Sequence, residues 1–466
     1  MTRASGVAPA KGARPAPLQP RPYQFPRFER RRLANGMQLV VAPVRKLPVA
    51  SVITLVDAGE VCVERGREGL ASLTAQLLLE GTIASDGAEL VERFERLGTS
   101  AEAASDWDAA WMTLTALREQ LGPAIKLLGE VLRQPSFPQR EVERLKAERL
   151  ADLLKLRAEP RGLADEMFTR VLYENSSRYA RPEGGSEVSV EAITREDVLA
   201  FYENRYRPGG VTLIVTGDIS GDEAERLAEE TFGDWQGSAP KHCSTTDAPA
   251  RATRALHVVS KPEAQQAELR IGNVGLPRSH PDYYSAVVMN AVLGGLFSSR
   301  INLNLREKHG YTYGAFSHID WRRQAGPFVV STAVQTEVAA PAATEAISEI
   351  ARLRESKVDK DELSLATSYL DGVFPIRYET TDAIAGALAT LVQYSLPDDF
   401  YDTYREHVRS VTADDVLRVA RSHLNPDALQ LLAVGDTDSL LAPLEAIGFG
   451  KATLYDTDGG LLDEDL

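Results

Sequence analysis

Histidine is scarce in this sequence, and the first half of the chain has none. The seven histidines among 466 residues lie at positions 242, 257, 280, 309, 318, 407 and 423. No two of them are three to five residues apart, so no single helix is expected to present a histidine pair. Hydrolytic zinc needs about three nitrogen, sulfur or carboxylate ligands and an open position for water. The sequence therefore argues against a zinc hydrolase site within this chain.

Cysteine and positive charge are also in short supply. Cys62 and Cys243 are the two cysteines, and their separation gives neither a C-x-x-C motif nor a disulfide framework. That pattern fits a reducing compartment or indifference to redox conditions. The net charge of −15 argues against a surface for nucleic acid or for an anionic membrane. We therefore expect no nucleic-acid partner.

Long apolar runs are missing as well. No run approaches the roughly 20 residues that a membrane helix needs. Residues 1–27 are rich in Pro, Ala and Arg and lack the apolar core of a secretory signal. These residues are predicted to form a disordered tail. The sequence therefore favours a cytoplasmic protein without a membrane partner.

Other catalytic signatures are absent from the sequence. It has no G-x-S-x-G nucleophile elbow. It has no G-x-x-x-x-G-K-[ST] phosphate loop and no G-x-G-x-x-G after a strand. Cys62 has no histidine in its half of the chain, so we interpret it as a small hydrophobic residue and not as a nucleophile.

The chain does contain a long internal repeat. A capped helix, a proline, a strand and a Gly-Asp pair follow one another twice. The matched positions differ by 218 residues in every case: Thr194 and Thr412, Asp197 and Asp415, Pro208 and Pro426, Gly217-Asp218 and Gly435-Asp436. The strand pattern around Val52 maps at the same offset onto the strand pattern around Arg270. The chain is therefore predicted to contain two copies of one α+β unit of about 200 residues.

This repeat determines the predicted domain layout. We expect a disordered tail at 1–27, an N-terminal domain at 28–236, a polar linker at 237–255, a C-terminal domain at 256–450 and a loose acidic tail at 451–466. Two tandem α+β units suggest a clamshell with a binding space between their sheets.

One short stretch in the second half places two polar groups at close spacing. Arg306 lies in a helical pattern that ends at a glycine turn, and a strand pattern follows in which Tyr313 shares a face with Ala315 and Ser317. An arginine fork and a phenol that converge beside a strand suit a peptide carbonyl or carboxylate. The alternative is structural, because an arginine at a helix end often caps carbonyls or pairs with a surface acid, and a tyrosine at the start of a strand often packs.

The segment GLASLTAQLLLEGT, residues 69–82, resembles the zinc helix of the insulinase/pitrilysin family, the inverted zinc peptidases with an H-x-x-E-H signature. Active members read roughly G-L-A-H-x-x-E-H-x-x-x-x-G-T. Ser72 and Gln76 stand here at the two histidines, and Ala75 stands at the glutamate base. The third ligand of the family, a glutamate about 76 residues beyond the second histidine, falls at Asp152. The resemblance implies that this chain has lost its zinc ligands, binds no zinc and has no catalytic residue of its own.

A second signature of that family is intact. Residues 299–313, SRINLNLREKHGYTY, resemble the pattern S-R-L-x-x-x-L-R-E-x-x-G-x-x-Y. In the family the matching arginine and tyrosine contact the substrate backbone across from the zinc. The resemblance therefore implies a substrate-binding role for Arg306 and Tyr313. It covers about residues 28–450 and implies two tandem insulinase-like α+β domains that form half of a clamshell.

The same resemblance implies a function. This chain would be the non-catalytic, substrate-binding subunit of a heteromeric zinc metallopeptidase. Its partner would be a catalytic insulinase-family subunit that carries H-x-x-E-H and the zinc, and the substrate would be a peptide or an unfolded polypeptide. The alternative is a scaffold protein of the same fold with no role in proteolysis. An independent enzyme with another chemistry is a third hypothesis.

Overall fold

The computed structural model describes residues 22–462. These residues form two six-stranded sheets, one from each half of the chain. The first sheet contains β1 (Glu29–Arg32), β2 (Gln38–Pro43), β3 (Val49–Val56), β4 (Ala101–Ser105), β5 (Ala110–Leu117) and β6 (Val211–Gly217). The second contains β7 (Ala255–Ser260), β8 (Gln266–Val274), β9 (Ala315–Ile319), β10 (Pro327–Gln335), β11 (Gln430–Gly435) and β12 (Ala452–Tyr455).

The two sheets repeat one topology. Their strand orders are β1-β2-β6-β3-β5-β4 and β12-β7-β11-β8-β10-β9. In each sheet a parallel pair, β2 with β6 or β7 with β11, is followed by antiparallel neighbours. The edge strands differ, since β1 runs antiparallel to β2 whereas β12 runs parallel to β7. The predicted fold class, two tandem α+β domains, is confirmed.

Helices cover both sheets. Those of the first half are α1 (Leu70–Leu77), α2 (Gly87–Arg96), α3 (Leu121–Arg133), α4 (Gln139–Ala158), α5 (Pro160–Leu172), α6 (Glu187–Ala192), α7 (Arg195–Arg205) and α8 (Gly221–Phe232). Those of the second half are α9 (Tyr283–Asn290), α10 (Arg300–Asn302), α11 (Ala339–Glu355), α12 (Lys360–Arg377), α13 (Thr381–Gln393), α14 (Phe400–Ser410), α15 (Ala413–His423) and α16 (Thr437–Glu445).

Equivalent helices begin with the same cap. At the start of α7 the Thr194 hydroxyl accepts a hydrogen bond from the Asp197 amide at 3.2 Å, and at the start of α15 Thr412 accepts from the Asp415 amide at 3.2 Å. Each aspartate also accepts from the amide of its threonine. Such a box satisfies amides that have no partner within the helix. The sequence repeat is therefore reproduced in atomic contacts.

Each half lends one helix to the sheet of the other half. Helix α5 packs across β8 and β11, and α13 packs across β3 and β6. The hydroxyl oxygens of Ser51 and Thr381 lie 2.8 Å apart across the second contact, and Arg270 Nε donates to Asp165 at 2.6 Å across the first. The two halves are thus interlocked by both packing and polar contacts.

Two predicted boundaries need correction. The tail predicted at 1–27 is partly ordered, because Phe25 is buried and stacks on Tyr401 with ring centroids 4.7 Å apart, and the Tyr23 hydroxyl donates to the Tyr378 carbonyl at 2.9 Å. The loose tail predicted from 451 is wrong for residues 452–455, which form β12. The first segment packs on aromatic side chains of the second domain, and the second adds as a strand beside β7. Neither contact can be predicted from local composition. The remainder of both tails, 1–21 and 463–466, lies outside the described residues.

The interpretation of the two cysteines is also wrong. Cys62 and Cys243 form a disulfide, with Cα atoms 5.2 Å apart across 181 residues of sequence. The linker folds back along the first domain and brings Cys243 to the turn after β3. Pairing over such a distance has no signature in sequence spacing. A disulfide is typical of an oxidising compartment, so the pair speaks against the predicted reducing environment.

One helical stretch, Tyr283–Lys308, is long and apolar enough to cross a membrane by length and composition. The prediction that no run approaches that length is therefore wrong for this stretch. Its most apolar window is 61% buried inside the protein, and Ile301 and Leu305 are fully buried in the core of the second domain. Core helices of soluble proteins pass the same test.

Candidate functional site

Helix α1 keeps the frame of the family zinc helix. Gly69 precedes it with φ 94°, a left-handed conformation that favours glycine. A Cβ at this position would also lie 2.8 Å from the Gly184 carbonyl oxygen. The Glu60 carboxylate accepts from the amides of Gly69 at 3.3 Å and Ser72 at 3.1 Å. A negative charge at a helix N-terminus stabilises it, so Glu60 anchors the start of α1.

Glu60 is itself held by a buried arginine. Arg178 Nη2 lies 2.7 Å from the Glu60 carboxylate, and the two side chains are 3% and 0% exposed. Burial raises the pKa of Glu60, while Arg178 and the two amides oppose that rise. The pair could not be predicted from sequence, because 118 residues separate its members and no local motif marks either one.

The three lost ligand positions come together in space. Ser72, Gln76 and Asp152 line one cavity of about 790 Å³ between the two halves, which we call the central cavity. Ala75, at the position of the catalytic base, is fully buried in the core of the first domain. The alignment that placed Asp152 beside the zinc helix is consistent with this geometry.

This donor set does not fit zinc. Ser72 and Gln76 are neutral oxygen donors, and Asp152 is a single carboxylate, whereas zinc sites use about three Cys, His or carboxylate ligands. The guanidinium of Arg149 also lines the central cavity, where its charge repels a cation. It is held there by the Gly184 carbonyl, to which Arg149 Nε donates at 2.8 Å.

The central cavity holds carboxyl groups that sequence analysis did not single out. Burial raises the pKa of Glu183 to about 7 and also raises the pKa of Glu166. Both residues line the cavity. A carboxyl group that is part protonated near neutral pH can both donate and accept hydrogen bonds, as a peptide backbone requires. Neither residue lies in a motif, and their burial arises from the meeting of the two halves.

The second half supplies the opposite wall. Arg270 is almost fully buried and donates to Asp165 at 2.6 Å and to Glu268 at 2.8 Å. His318 lies on β9 beside it in the cavity lining. The sequence repeat matched Arg270 to Val52, but the strand register shows that this match is wrong by one residue. Arg270 lies opposite Leu432 as Ile53 lies opposite Ile214, so Arg270 is the equivalent of Ile53.

Arg306 lies where the sequence predicted, near the end of a helical run. That run has π-helical hydrogen bonding over Leu303–Lys308. The guanidinium carbon lies 4.7 Å from the Phe297 ring centroid, and Nε lies 3.4 Å from the Glu307 carboxylate. The side chain is partly exposed and rests on a flat aromatic surface. Its pairing with a neighbouring acid is the contact that the structural alternative predicted.

Tyr313 does not lie on a strand, which corrects the prediction. Strand β9 begins at Ala315, and Thr312 forms hydrogen bonds to Gly314 that make a turn before it. Tyr313 sits on that turn and is 93% exposed. Ala315 and Ser317 share the buried face of β9, as predicted. The turn chemistry of Thr312 overrode the strand pattern in the two residues before Ala315.

Tyr313 borders a smaller cavity of about 330 Å³ that is also lined by Arg270 and Phe316. Arg270 lines the central cavity as well, and Phe316 and His318 lie on the same exposed face of β9. This face therefore leads from Tyr313 towards the lost zinc positions. Arg306 lines neither cavity, and its joint action with Tyr313 stays a prediction.

The chain matches two models of one protein family. The model described as "Insulinase (Peptidase family M16)" matches residues 40–180, and the model described as "Peptidase M16 inactive domain" matches residues 192–370. Together they cover more than half of the chain. Helix α1, which lacks the zinc ligands, lies in the first range, and Arg306 and Tyr313 lie in the second.

Known proteins of similar sequence include peptidase subunits and non-peptidases. A protein named "Probable mitochondrial-processing peptidase subunit beta", from Schizosaccharomyces pombe, is 27% identical over 58% of this chain and 59% of its own length. A "Non-peptidase homolog YmxG" from Helicobacter pylori is 23% identical over 84% of this chain and 90% of its own length. The crystal structure of a peptidase M16 inactive domain from Pseudomonas fluorescens superposes with a TM-score of 0.82 at 26% identity, covering 88% of this chain and 98% of that one.

Proposed function

Because this chain belongs to the insulinase family, peptidase family M16, as an inactive member, we propose that it is the substrate-binding subunit of a heteromeric zinc metallopeptidase. It assists peptide hydrolysis in trans, and the zinc and the H-x-x-E-H helix belong to a partner subunit. The single observation that carries this proposal is the contrast between two signatures. The zinc and base positions hold Ser72, Gln76 and Ala75, whereas Arg306 and Tyr313 are both retained and Tyr313 faces solvent.

The chemistry of the retained pair suits this role. Peptide hydrolysis builds negative charge on the scissile carbonyl oxygen, and a fixed phenol or guanidinium on this chain would stabilise that charge. Tyr313 is 93% exposed, so its hydroxyl is open to a group supplied from outside this chain. Arg306 is supported on one side by Phe297 and pairs with Glu307 at 3.4 Å, so a substrate carbonyl would compete with Glu307 for its guanidinium. These are the properties of donors that act at the active site of another subunit.

The surface beside Tyr313 suits an extended peptide. Strand β9 is the last strand of the second sheet, but Asn302 and Asn290 occupy the outward amide of Ala315 and the outward carbonyl of Ser317. A peptide would therefore lie across the exposed face of β9 and not add to its edge. Phe316 and His318 on its exposed face lead to the central cavity. The central cavity lies between the two halves and opens to solvent, so it can admit an extended peptide or an unfolded segment.

A scaffold role without proteolysis is the competing proposal. The name of the Helicobacter pylori relative, "Non-peptidase homolog", favours it, while that of the Schizosaccharomyces pombe relative, a peptidase subunit, favours the first. Under the scaffold proposal Arg306 merely packs on Phe297. Affinity purification of the chain separates the two, because a zinc peptidase subunit in equal amount supports the first and a complex without one supports the second.

The decisive assay mixes this chain with the H-x-x-E-H homologue from the same genome and measures cleavage of a quenched fluorescent peptide. Arg306→Ala and Tyr313→Phe should each lower turnover by about 10²–10³. Tyr369→Phe is the matched control, because Tyr369 is also an exposed tyrosine but lies on α12. Equal rates for the wild type, Arg306→Ala and Tyr313→Phe would remove the assigned role. Cleavage by this chain alone, resistant to chelators, would support the independent-enzyme hypothesis instead.

A further inference from the structure

Three residues of the second domain converge at a place that the proposed function does not use. His280 and Asp282 lie in the connection between β8 and α9, and His423 is the last residue of α15. One ligand atom from each lies within 4.8 Å of the other two. We propose that His280, Asp282 and His423 bind a divalent transition-metal ion, with zinc the best match. We call this the His-Asp-His site.

The polar atoms of the site face one another. His423 Nε2 lies 2.9 Å from Asp282 Oδ2, and His280 Nδ1 lies 4.0 Å from the same oxygen. The two imidazole rings are nearly perpendicular, with centroids 5.1 Å apart. His280 Nδ1 also accepts a hydrogen bond from the Asp282 amide at 3.0 Å, so an ion bound through this nitrogen takes the place of that hydrogen bond. The three side chains are 18–30% exposed, so an ion can enter from solvent.

The site is supported by a second layer of contacts. Arg418 Nη1 donates to the other oxygen of Asp282 at 2.8 Å, which leaves Oδ2 aimed at the histidines. The Arg418 charge lowers the affinity for a cation, as that of Arg149 does in the central cavity, and the two imidazole ligands that the central cavity lacks must offset it. Asn273 Nδ2 donates to the His423 carbonyl at 2.9 Å and anchors the end of α15 to β8. Contacts that orient the ligands are characteristic of metal sites. The same contacts hold the trio in place before any ion arrives.

The ligand set selects a class of ion. Imidazole nitrogen suits Zn²⁺, Cu²⁺, Ni²⁺ and Fe²⁺, whereas Ca²⁺ and Mg²⁺ prefer sets made of oxygen alone. Two histidines and one carboxylate leave at least one position for water, as in open zinc sites. The site therefore differs from the central cavity in both place and chemistry, because none of its residues lines that cavity.

The same three residues are also suited to a metal-free clip, by which we mean a hydrogen-bonded contact that joins two segments of the domain without an ion. In that case the 2.9 Å hydrogen bond between His423 and Asp282 would join α15 to the start of α9 across 141 residues of sequence. The two roles differ in one measurable respect. A metal site makes thermal stability depend on the ion concentration, whereas a hydrogen-bonded clip does not.

The experiment uses the full chain, freed of metal by chelator and exchanged into chelator-free buffer. Titration with ZnCl₂ in a calorimeter should show one ion per chain, and Co²⁺ should give visible absorption bands of a nitrogen–oxygen site. His423→Ala should weaken zinc binding at least tenfold. His423→Gln is a second variant that can keep a hydrogen bond to Asp282, so it separates loss of the ligand from loss of the clip. His407→Ala is the control, since His407 is an exposed histidine on neighbouring α14.

These measurements distinguish zinc binding at the His-Asp-His site from zinc binding elsewhere on the chain. Wild-type binding that both His423 variants lose and the control keeps establishes the site. Wild-type protein that binds no zinc overturns the proposal and leaves the proposed function untouched. Zinc that persists in both His423 variants also overturns it. If that remaining zinc is then lost in Gln76→Ala, the ion sits in the central cavity, and the proposed function falls as well.

Discussion

The Arg178 guanidinium lies 2.7 Å from the Glu60 carboxylate at the N-terminus of α1, and both side chains are buried. This contact preserves the helix that bears zinc in active relatives, although the ligands on that helix are gone. The helix therefore keeps its position in the fold without the residues that bind zinc. The frame still positions Ser72 and Gln76 in the wall of the central cavity.

Removal of the arginine should be costly. Arg178→Ala leaves the Glu60 carboxylate buried without its cation, and loss of one partner of a buried pair typically costs about 3–5 kcal/mol. We expect the urea midpoint of unfolding to fall accordingly. Arg96→Ala is the control, because the Arg96–Glu92 pair on α2 is exposed and such pairs contribute little. Equal midpoints for the two variants would show that Glu60 does not depend on Arg178.

The central cavity should accept zinc once its ligands return. Ser72→His, Gln76→His and Asp152→Glu are combined, in a His423→Ala background that removes the His-Asp-His site. Because the three positions line one cavity, this variant should bind one zinc per chain where the parent binds none. Ala75 is left unchanged, since it is fully buried and a carboxylate there would be desolvated.

The geometry of the third ligand is tested by the same series. Asp152→Ala in place of Asp152→Glu should lower the zinc affinity of the combined variant at least tenfold. Equal affinities would mean that Asp152 is not the equivalent of the family glutamate, although it lies in the same cavity.

Stability should depend on pH through Glu183. Burial raises the pKa of this carboxyl from 4.5 to about 7, so the folded state binds more protons than the unfolded state between these values. The stabilising contribution is complete below pH 4.5 and is lost as pH rises through about 7. Glu183→Gln cannot ionise, so its stability relative to wild type should rise between pH 4.5 and 7 and stay level above. Urea titrations across this range measure the difference. Parallel pH profiles would show that Glu183 is not perturbed by burial.

Reduction should destabilise the protein. The Cys62–Cys243 disulfide closes 181 residues of chain, and loss of a native disulfide typically costs about 2–5 kcal/mol. Dithiothreitol should therefore lower the melting temperature of the wild type and have no effect on the Cys62→Ser, Cys243→Ser double variant. A thiol assay on denatured, unreduced protein should find no free thiols. Two free thiols there would mean that the cysteines are not bonded.

Much of the fold could be predicted from sequence because the repeat consists of local signals. The threonine caps, the prolines after α7 and α15 and the Gly-Asp pairs after β6 and β11 act within a few residues of where they stand. Two copies at one offset therefore predicted the fold. The candidate site was only partly accessible, because the turn at Thr312 moved Tyr313 off the strand and placed its side chain in solvent.

The sequence by itself determined the doubled α+β architecture, the loss of the zinc ligands at Ser72 and Gln76, and the survival of Arg306 and Tyr313. These depend on residue identity and short spacing, which a linear chain displays directly. The tertiary structure alone decided that Cys62 meets Cys243, that His280 meets His423, and that Glu183 is desolvated in the central cavity. Contacts over more than a hundred residues arise when apolar faces of the two halves pack together, and that packing brings polar groups into proximity that no local pattern encodes.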